Sequence, residues 1–418
     1  RRNPTIRSPS TMKTIPTRLF AFAATLLIMA AVPSPSAVVR FTAAIDAGQE
    51  TTTSTSAATG TAELLYDVNT NTFDLALTLN NFANTITASH IHEGAVGVAG
   101  GVVTNLGAET AYVRSGNTIT ATFSNVTHGG DPATLLRGDA YLNFHTAAFT
   151  AGEIRGQLIP EPVKLVASLD AGQEVAVVES EAFGAAQAIF DPTTNKITVV
   201  GCIYNFTNTL TDSHIHEAPV DTNGPVRTGF GGASAYVQTG TTFTQVFAER
   251  DWTGSSVALL SDGAYYNVHS NAYGGGEIRG QFKGATTTNG GRLINVSARG
   301  NVGSGEQALI TGFIVSGEDP VRVLVTARGP VLTDFGVANA MADPVLSVYD
   351  VAGNLVFRND DVADAPFAAL ITSSGLAPSE TAEAGALLVL PPGAYTSVVA
   401  SADAITGIAL AEAFEVAW

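Results

Sequence analysis

From residue 38 onward the chain reads as short apolar runs, some alternating with polar residues and some continuous, separated by Gly, Asn, Asp and Pro. No long stretch keeps a helical period, so the pattern predicts short strands in an all-β protein. Val39-Arg40-Phe41-Thr42-Ala43-Ala44-Ile45 is one such run, and Asp46-Ala47-Gly48-Gln49-Glu50 after it reads as a turn. Residues 61–66 and 72–79 flank Asp67-Val68-Asn69-Thr70-Asn71, which marks a hairpin. A strand through Ser89-His90-Ile91-His92-Glu93 follows, then a Gly-rich loop over 94–101. Tyr112-Val113 and residues 119–123 give another strand pair. Asp131-Pro132 supplies the cap and first position of a short helix reaching Arg137, the only helix the pattern predicts. Residues 140–145 and 152–158 close the unit.

The unit then recurs at a constant offset of 124. Ser213-His214-Ile215-His216-Glu217 repeats the histidine strand, and Asn267-Val268-His269 repeats Asn143-Phe144-His145. Gly276-Glu277-Ile278-Arg279-Gly280-Gln281 repeats the closing stretch. One offset for every anchor implies two duplicated domains, 38–160 and 161–283, joined around Pro160-Glu161-Pro162. A polar linker over 284–291 leads to a third region, 292–418. Its strands are predicted at 293–298, 308–315, 321–327, 345–349, 355–357, 395–400 and 408–416. The expected architecture is two tandem antiparallel β-sandwich domains followed by a third β-sandwich.

Composition changes this picture at three points. First, residues 1–37 do not fit the strand pattern: a basic stretch from Met12 to Arg18 precedes an apolar run over 19–32 that breaks at Pro33. This predicts a secretory signal cleaved after Ser36 or Ala37, with residues 1–11 an upstream extension, and no transmembrane span after cleavage. The expected location is secreted, extracellular or at the cell surface, the periplasm included. Second, residues 1–37 hold five of the 20 basic residues and no acidic ones, leaving 15 against 37 beyond them and a formal charge of −22. Such a chain repels nucleic acid and attracts cations. Third, Cys202 is the single cysteine, so no intrachain disulfide forms. It lies in the apolar run Val199-Val200-Gly201-Cys202-Ile203-Tyr204 and is expected to be a small buried hydrophobe; a copper-ligand role is disfavoured because its counterpart, Thr78, cannot replace a thiolate.

Histidine carries the candidate chemistry. Four of the seven histidines sit in the two His-Ile-His strands. Positions i and i+2 of a strand share a face about 7 Å apart, so the paired imidazoles can lean onto one cation. His145 and His269 supply a third nitrogen to each pair. The candidate metal ligands are therefore His90, His92 and His145 in one repeat and His214, His216 and His269 in the other, and imidazole suits copper or zinc. Glu93 and Glu217 either hold an imidazole tautomer from outside or cap the adjoining loop. Glu153 with Arg155, and Glu277 with Arg279, are expected to be ion pairs between neighbouring strands. Asp46, Gln49, Glu50 and their copies are expected to form turns and bind backbone. Asn359-Asp360-Asp361 lacks the spaced acids of a calcium loop. No nucleophile elbow, phosphate loop or paired acid and base stands out.

The combination of Asp-Ala-Gly-Gln-Glu, Ser-His-Ile-His-Glu, Tyr-x-Asn-x-His and Gly-Glu-Ile-Arg-Gly-Gln resembles the CHRD domain, the repeat named after chordin and common in bacterial secreted proteins. The likeness covers both repeats. Growth-factor binding by chordin resides largely in cysteine-rich modules, which a chain with one Cys does not have. Residues 288–418, with Ala342-Asp343-Pro344, Leu346-Ser347-Val348-Tyr349-Asp350 and Leu390-Pro391-Pro392-Gly393-Ala394-Tyr395, resemble a C-terminal β-sandwich of secreted bacterial proteins. That implies attachment to a cell-envelope or extracellular-matrix partner. His-Ile-His-Glu before a Gly-rich loop is also similar to the copper strand of Cu/Zn superoxide dismutases, which implies a copper redox activity as the enzyme alternative. Those enzymes carry a bridging histidine, further zinc ligands and a disulfide, and His128 in one repeat is replaced by Trp252 in the other. The expectation is therefore metal binding without catalysis, or, failing that, a structural and adhesive role.

Overall fold

The computed structural model describes residues 38–285, 295–303, 307–403 and 405–417. The expected signal segment, residues 286–291 of the expected linker and residues 293–294 of the strand expected at 293–298 lie outside them.

The first repeat contains nine strands. They are β1 (Val38–Asp46), β2 (Thr59–Asp67), β3 (Thr72–Asn80), β4 (Ile86–Glu93) and β5 (Gly101–Gly107), followed by β6 (Val113–Ser115), β7 (Thr118–Thr127), β8 (Ala140–Thr146) and β9 (Ile154–Pro160). All pair antiparallel in one continuous sheet of order β5-β4-β8-β9-β1-β2-β3-β7-β6. Alternation decides the faces. Along β1, Val39, Phe41, Ala43 and Ile45 are buried, while Arg40, Thr42 and Ala44 are exposed. Asp67 builds the hairpin between β2 and β3 by accepting from the backbone of Asn69 and Thr70, and Asn71 takes the left-handed conformation (φ 54°) that asparagine tolerates.

The sheet curls so that its inner face becomes the core. Tyr112, just before β6, meets Phe123 of β7 at 5.9 Å and Phe144 of β8 at 6.2 Å between ring centroids. Its hydroxyl lies 2.6 Å from Ser89 Oγ of β4. One ring thus touches strands from both halves of the sheet. The predicted helix α1 (Pro132–Leu136) is present and capped by Asp131, whose carboxylate accepts from Ala133 N.

The second repeat follows the same plan with β10 (Val163–Asp170), β11 (Phe183–Asp191), β12 (Lys196–Tyr204), β13 (Leu210–Glu217), β14 (Val226–Gly229), β15 (Val237–Thr239), β16 (Thr242–Asp251), β17 (Ala264–Ser270) and β18 (Ile278–Gln281). Its sheet order, β14-β13-β17-β18-β10-β11-β12-β16-β15, is that of the first repeat strand for strand, and β19 (Lys283–Gly284) adds to β10. Gly284, expected to begin the linker, is therefore in a strand. A second helix, α2 (Ser256–Leu260), corresponds to α1, and Ser255 replaces the capping aspartate. The expectation of a single helix is corrected on this count.

Two four-stranded sheets make the C-terminal sandwich: β20 (Asn295–Val302), β27 (Gly407–Val416), β22 (Val321–Arg328) and β25 (Ala384–Leu390) in one, and β21 (Leu309–Val315), β26 (Gly393–Ser401), β23 (Pro344–Tyr349) and β24 (Leu355–Asn359) in the other. A third helix, α3 (Ala368–Ser373), covers Leu324 and Leu387. The sandwich core continues into Ala185, Val200, Cys202 and Tyr204 on the outer face of the second repeat. Tyr204 Oη donates to Val389 O at 2.8 Å, and Gln187 Nε2 donates to Pro320 O at 3.2 Å. Cys202 is fully buried there, and burial pushes its thiol up to about 11. It is the inert small hydrophobe expected.

Candidate metal centre

In β4, Ser89 and Ile91 point into the core, so His90 and His92 point outward together. In β8, Leu142 and Phe144 point inward, which sends Tyr141, Asn143 and His145 to that same outer face. Antiparallel register sets His92 opposite Tyr141, His90 opposite Asn143 and Ala88 opposite His145. The three predicted histidines therefore meet: one ligand nitrogen from each ring lies within 4.8 Å of the other two. Ring centroids are 5.4 Å apart for His90 and His92, and 5.2 Å for His90 and His145. His214, His216 and His269 meet in the same way in the second repeat, with 5.2 Å and 4.7 Å for the corresponding pairs.

Each ring is held from behind. His92 Nδ1 lies 3.0 Å from Gly100 O and His145 Nδ1 lies 3.1 Å from Thr150 O. A carbonyl only accepts, so both rings carry their proton on Nδ1 and turn a bare Nε2 into the cluster. His90 Nδ1, His92 Nε2 and His145 Nε2 are all buried, and among the described residues none has a hydrogen-bond partner. Three unpartnered nitrogens converging on one point would be costly without something to bind them. In the second repeat His216 Nδ1 meets Gly224 O at 2.8 Å and His269 Nδ1 meets Gly274 O at 3.1 Å.

Burial favours the neutral form of four of these rings. Desolvation lowers the imidazoles of His90, His92, His216 and His269 below their usual value, and neighbouring imidazoles add to the effect. Only a neutral imidazole ligates, so the environment favours the form a metal ion requires.

A second layer braces the first. Tyr141 stacks on His92 with centroids 5.0 Å apart and planes 10° from parallel, and the Arg155 guanidinium sits 3.4 Å over the Tyr141 ring. His216, Tyr265 and Arg279 repeat the stack at 4.9 Å and 3.5 Å. Arg155 also donates to Val98 O and Ala95 O, and Gln157 donates to Gly94 O, so the Gly-rich loop is tied down over the site.

This corrects the expected ion pairs. Glu153 is buried and accepts from Ser56 Oγ (2.7 Å), Asn84 Nδ2 (2.9 Å) and Thr146 Oγ1 (2.7 Å), while Arg155 serves the loop. Glu277 likewise accepts from Ser180 and Asn208. Glu93 accepts from the backbone of Asp131 and Glu217 from that of Ser255 (2.9 Å), so both pin the approach to the short helices and neither holds a triad imidazole. Asp46 caps its turn through Gln49 N, and Gln49 binds Ala44 O, as expected. Glu50 goes further than a turn. It packs against Asn143 beneath Gly152, whose φ of 134° and lack of Cβ leave room for the Glu50 carboxyl 2.5 Å from where a Cβ would stand. Burial pushes that carboxyl up to about 7 despite Arg155, and Glu174 in the second repeat behaves alike. His128 stays apart from the triad: its nearest carboxylate is Glu93 at 3.8 Å, and it faces the Tyr66 ring.

The family model described as "CHRD domain" matches residues 41–158 and 165–282. No curated protein matches the chain. Among solved structures, the Faustovirus major capsid protein aligns at 7% identity over 93% of this chain and 89% of that one, with a TM-score of 0.14, which carries no argument. The family match does not support the likeness to superoxide dismutases, and among the described residues each cluster holds three histidines without a fourth, bridging one.

Proposed function

This chain belongs to the CHRD-domain family, and from that premise we propose that it is a secreted or cell-surface protein that binds copper or zinc, one ion per repeat, without catalysis. The ligands are His90, His92 and His145 in the first repeat and His214, His216 and His269 in the second. The observation that carries the reading is the set of three inward-facing, buried and unpartnered nitrogens in the first repeat, two of them held in that tautomer by carbonyls. Three imidazole nitrogens at about 2.0–2.1 Å leave one position of a tetrahedral ion for water or another ligand. The acidic chain beyond the N-terminal segment raises the local concentration of cations. The bound ion ties β4 to β8, so loading stabilises the fold by mass action.

Titration of zinc or copper into the full chain is expected to saturate at two ions. Replacing all six histidines by Ala is expected to abolish binding at these sites. Unchanged stoichiometry in that variant would overturn the reading.

A further inference from the structure

The two clusters share their ligands but differ behind one ring. In the second repeat the carboxylate of Asp212 lies 2.8 Å from His214 Nε2, and the other nitrogen of the ring, Nδ1, lies 3.3 Å from His216 Nε2. An ionised carboxylate accepts only, so Nε2 holds the proton and Nδ1 is the nitrogen turned inward. An ion about 2.0–2.1 Å from each of two tetrahedral ligands sets them about 3.3 Å apart, which is the separation already present between His214 Nδ1 and His216 Nε2. Asp212 is placed for this by the strand. It is the cross-strand partner of His269, next to a register irregularity in β13, and its other oxygen accepts from Ser213 N at 2.8 Å.

The corresponding residue in the first repeat is Ala88, opposite His145. Among the described residues His90 has no protein acceptor on either nitrogen, and its Nδ1 is buried without a partner. All three rings of the second cluster are thus fixed from outside, by two carbonyls and a carboxylate, whereas the first cluster has two carbonyls alone.

We propose that Asp212 is a positioning residue that makes the second repeat the tighter of two unequal metal sites, filled before the first. The proposal rests on the metal reading above. A carboxylate behind a ligating imidazole fixes its orientation and raises its basicity, and loss of such a partner typically weakens metal affinity about 10–100-fold. The added negative charge near the ion acts in the same direction.

The test uses the full chain and zinc, with affinity read by competition against a chromogenic chelator. Two variants isolate the sites: His90, His92 and His145 all to Ala leaves the second, and His214, His216 and His269 all to Ala leaves the first. The second site is expected to bind about 10–100-fold more tightly. Asp212→Ala should bring it down to the level of the first. Ala88→Asp should raise the first site, a gain that a general structural role for Asp212 does not predict. Equal affinities in the two isolating variants would overturn the proposal, as would an Asp212→Ala site of unchanged affinity. Absence of zinc from both isolating variants would instead overturn the metal reading itself.

Discussion

Ala76 and Val200 occupy the same position in the two repeats, as do Thr78 and Cys202, yet the surroundings are opposite. Ala76 is exposed on the outer face of the first sheet, beside Thr61, Thr120 and Thr122. Val200 and Cys202 are buried against the C-terminal sandwich with Ala185 and Tyr204. The inner faces did not diverge in this way: Leu75, Leu77 and Leu79 match Val199, Gly201 and Ile203 as core-facing positions of an identical sheet. Nor did the histidine clusters. They lie on β4, β8 and their copies, whereas the sandwich covers β11 and β12, so the covering of one half of a sheet leaves the three histidines together on the other half. A duplicated fold can therefore acquire a partner domain by altering one outer face and retain its chemistry on another.

The largest test of that contrast is a matched charge. Val200→Lys places an ammonium in the buried cluster and is expected to cost about 3–5 kcal/mol, the scale of an uncompensated buried charge. Ala76→Lys, at the equivalent exposed position opposite Glu63, is expected to change stability by no more than about 0.5 kcal/mol. Calorimetric melting of both variants checks this. Equal shifts would mean that the sandwich does not seal the outer face of the second repeat.

A smaller effect should separate the repeats in acid. His128 is buried in the first repeat where Trp252 stands in the second, and both of its ring nitrogens lack a hydrogen-bond partner among the described residues. Desolvation lowers its imidazole below the usual 6.5, outweighing the pull of Asp131. The unfolded chain then takes up the proton more readily, so stability is complete above about pH 6.5 and falls as pH drops below it. His90, His92, His216 and His269 act with the same sign. Glu50 and Glu174, raised to about 7, act oppositely, since the folded state binds their protons more tightly, but they do so equally in both repeats. His128→Leu is therefore expected to cost little at about pH 7 and to lose less stability than the parent chain at about pH 5. An identical acid loss, read from metal-free melting curves, would show that His128 does not contribute.

Much of the site was readable because strand parity is strict. Ser89 and Ile91 had to point inward together, so His90 and His92 had to share the other face, and the offset of 124 identified His145 and His269 as their partners. Parity failed where the backbone breaks. Glu153 and Arg155 look like positions i and i+2 of one strand, but β9 starts at Ile154, and Gly152 at φ 134° turns the chain just before it. Glu153 therefore enters a polar pocket of its own. The strand β5 was hidden by the glycines ahead of it, and β25 by an unbroken apolar run, Ala384–Leu390, buried at every position. Asp212 was missed for a different reason. The histidines are what the repeats share, whereas the signal of Asp212 is a difference, aspartate where the first repeat has Ala88.

Each repeat is expected to hold one ion on three imidazoles. Crystals of the full chain soaked in zinc, with anomalous diffraction recorded on both sides of the metal edge, test it directly. Two peaks are expected, one about 2.0–2.1 Å from nitrogens of His90, His92 and His145 and one at the same distance from nitrogens of His214, His216 and His269. Peaks confined to surface carboxylates, with both histidine clusters empty, would contradict it.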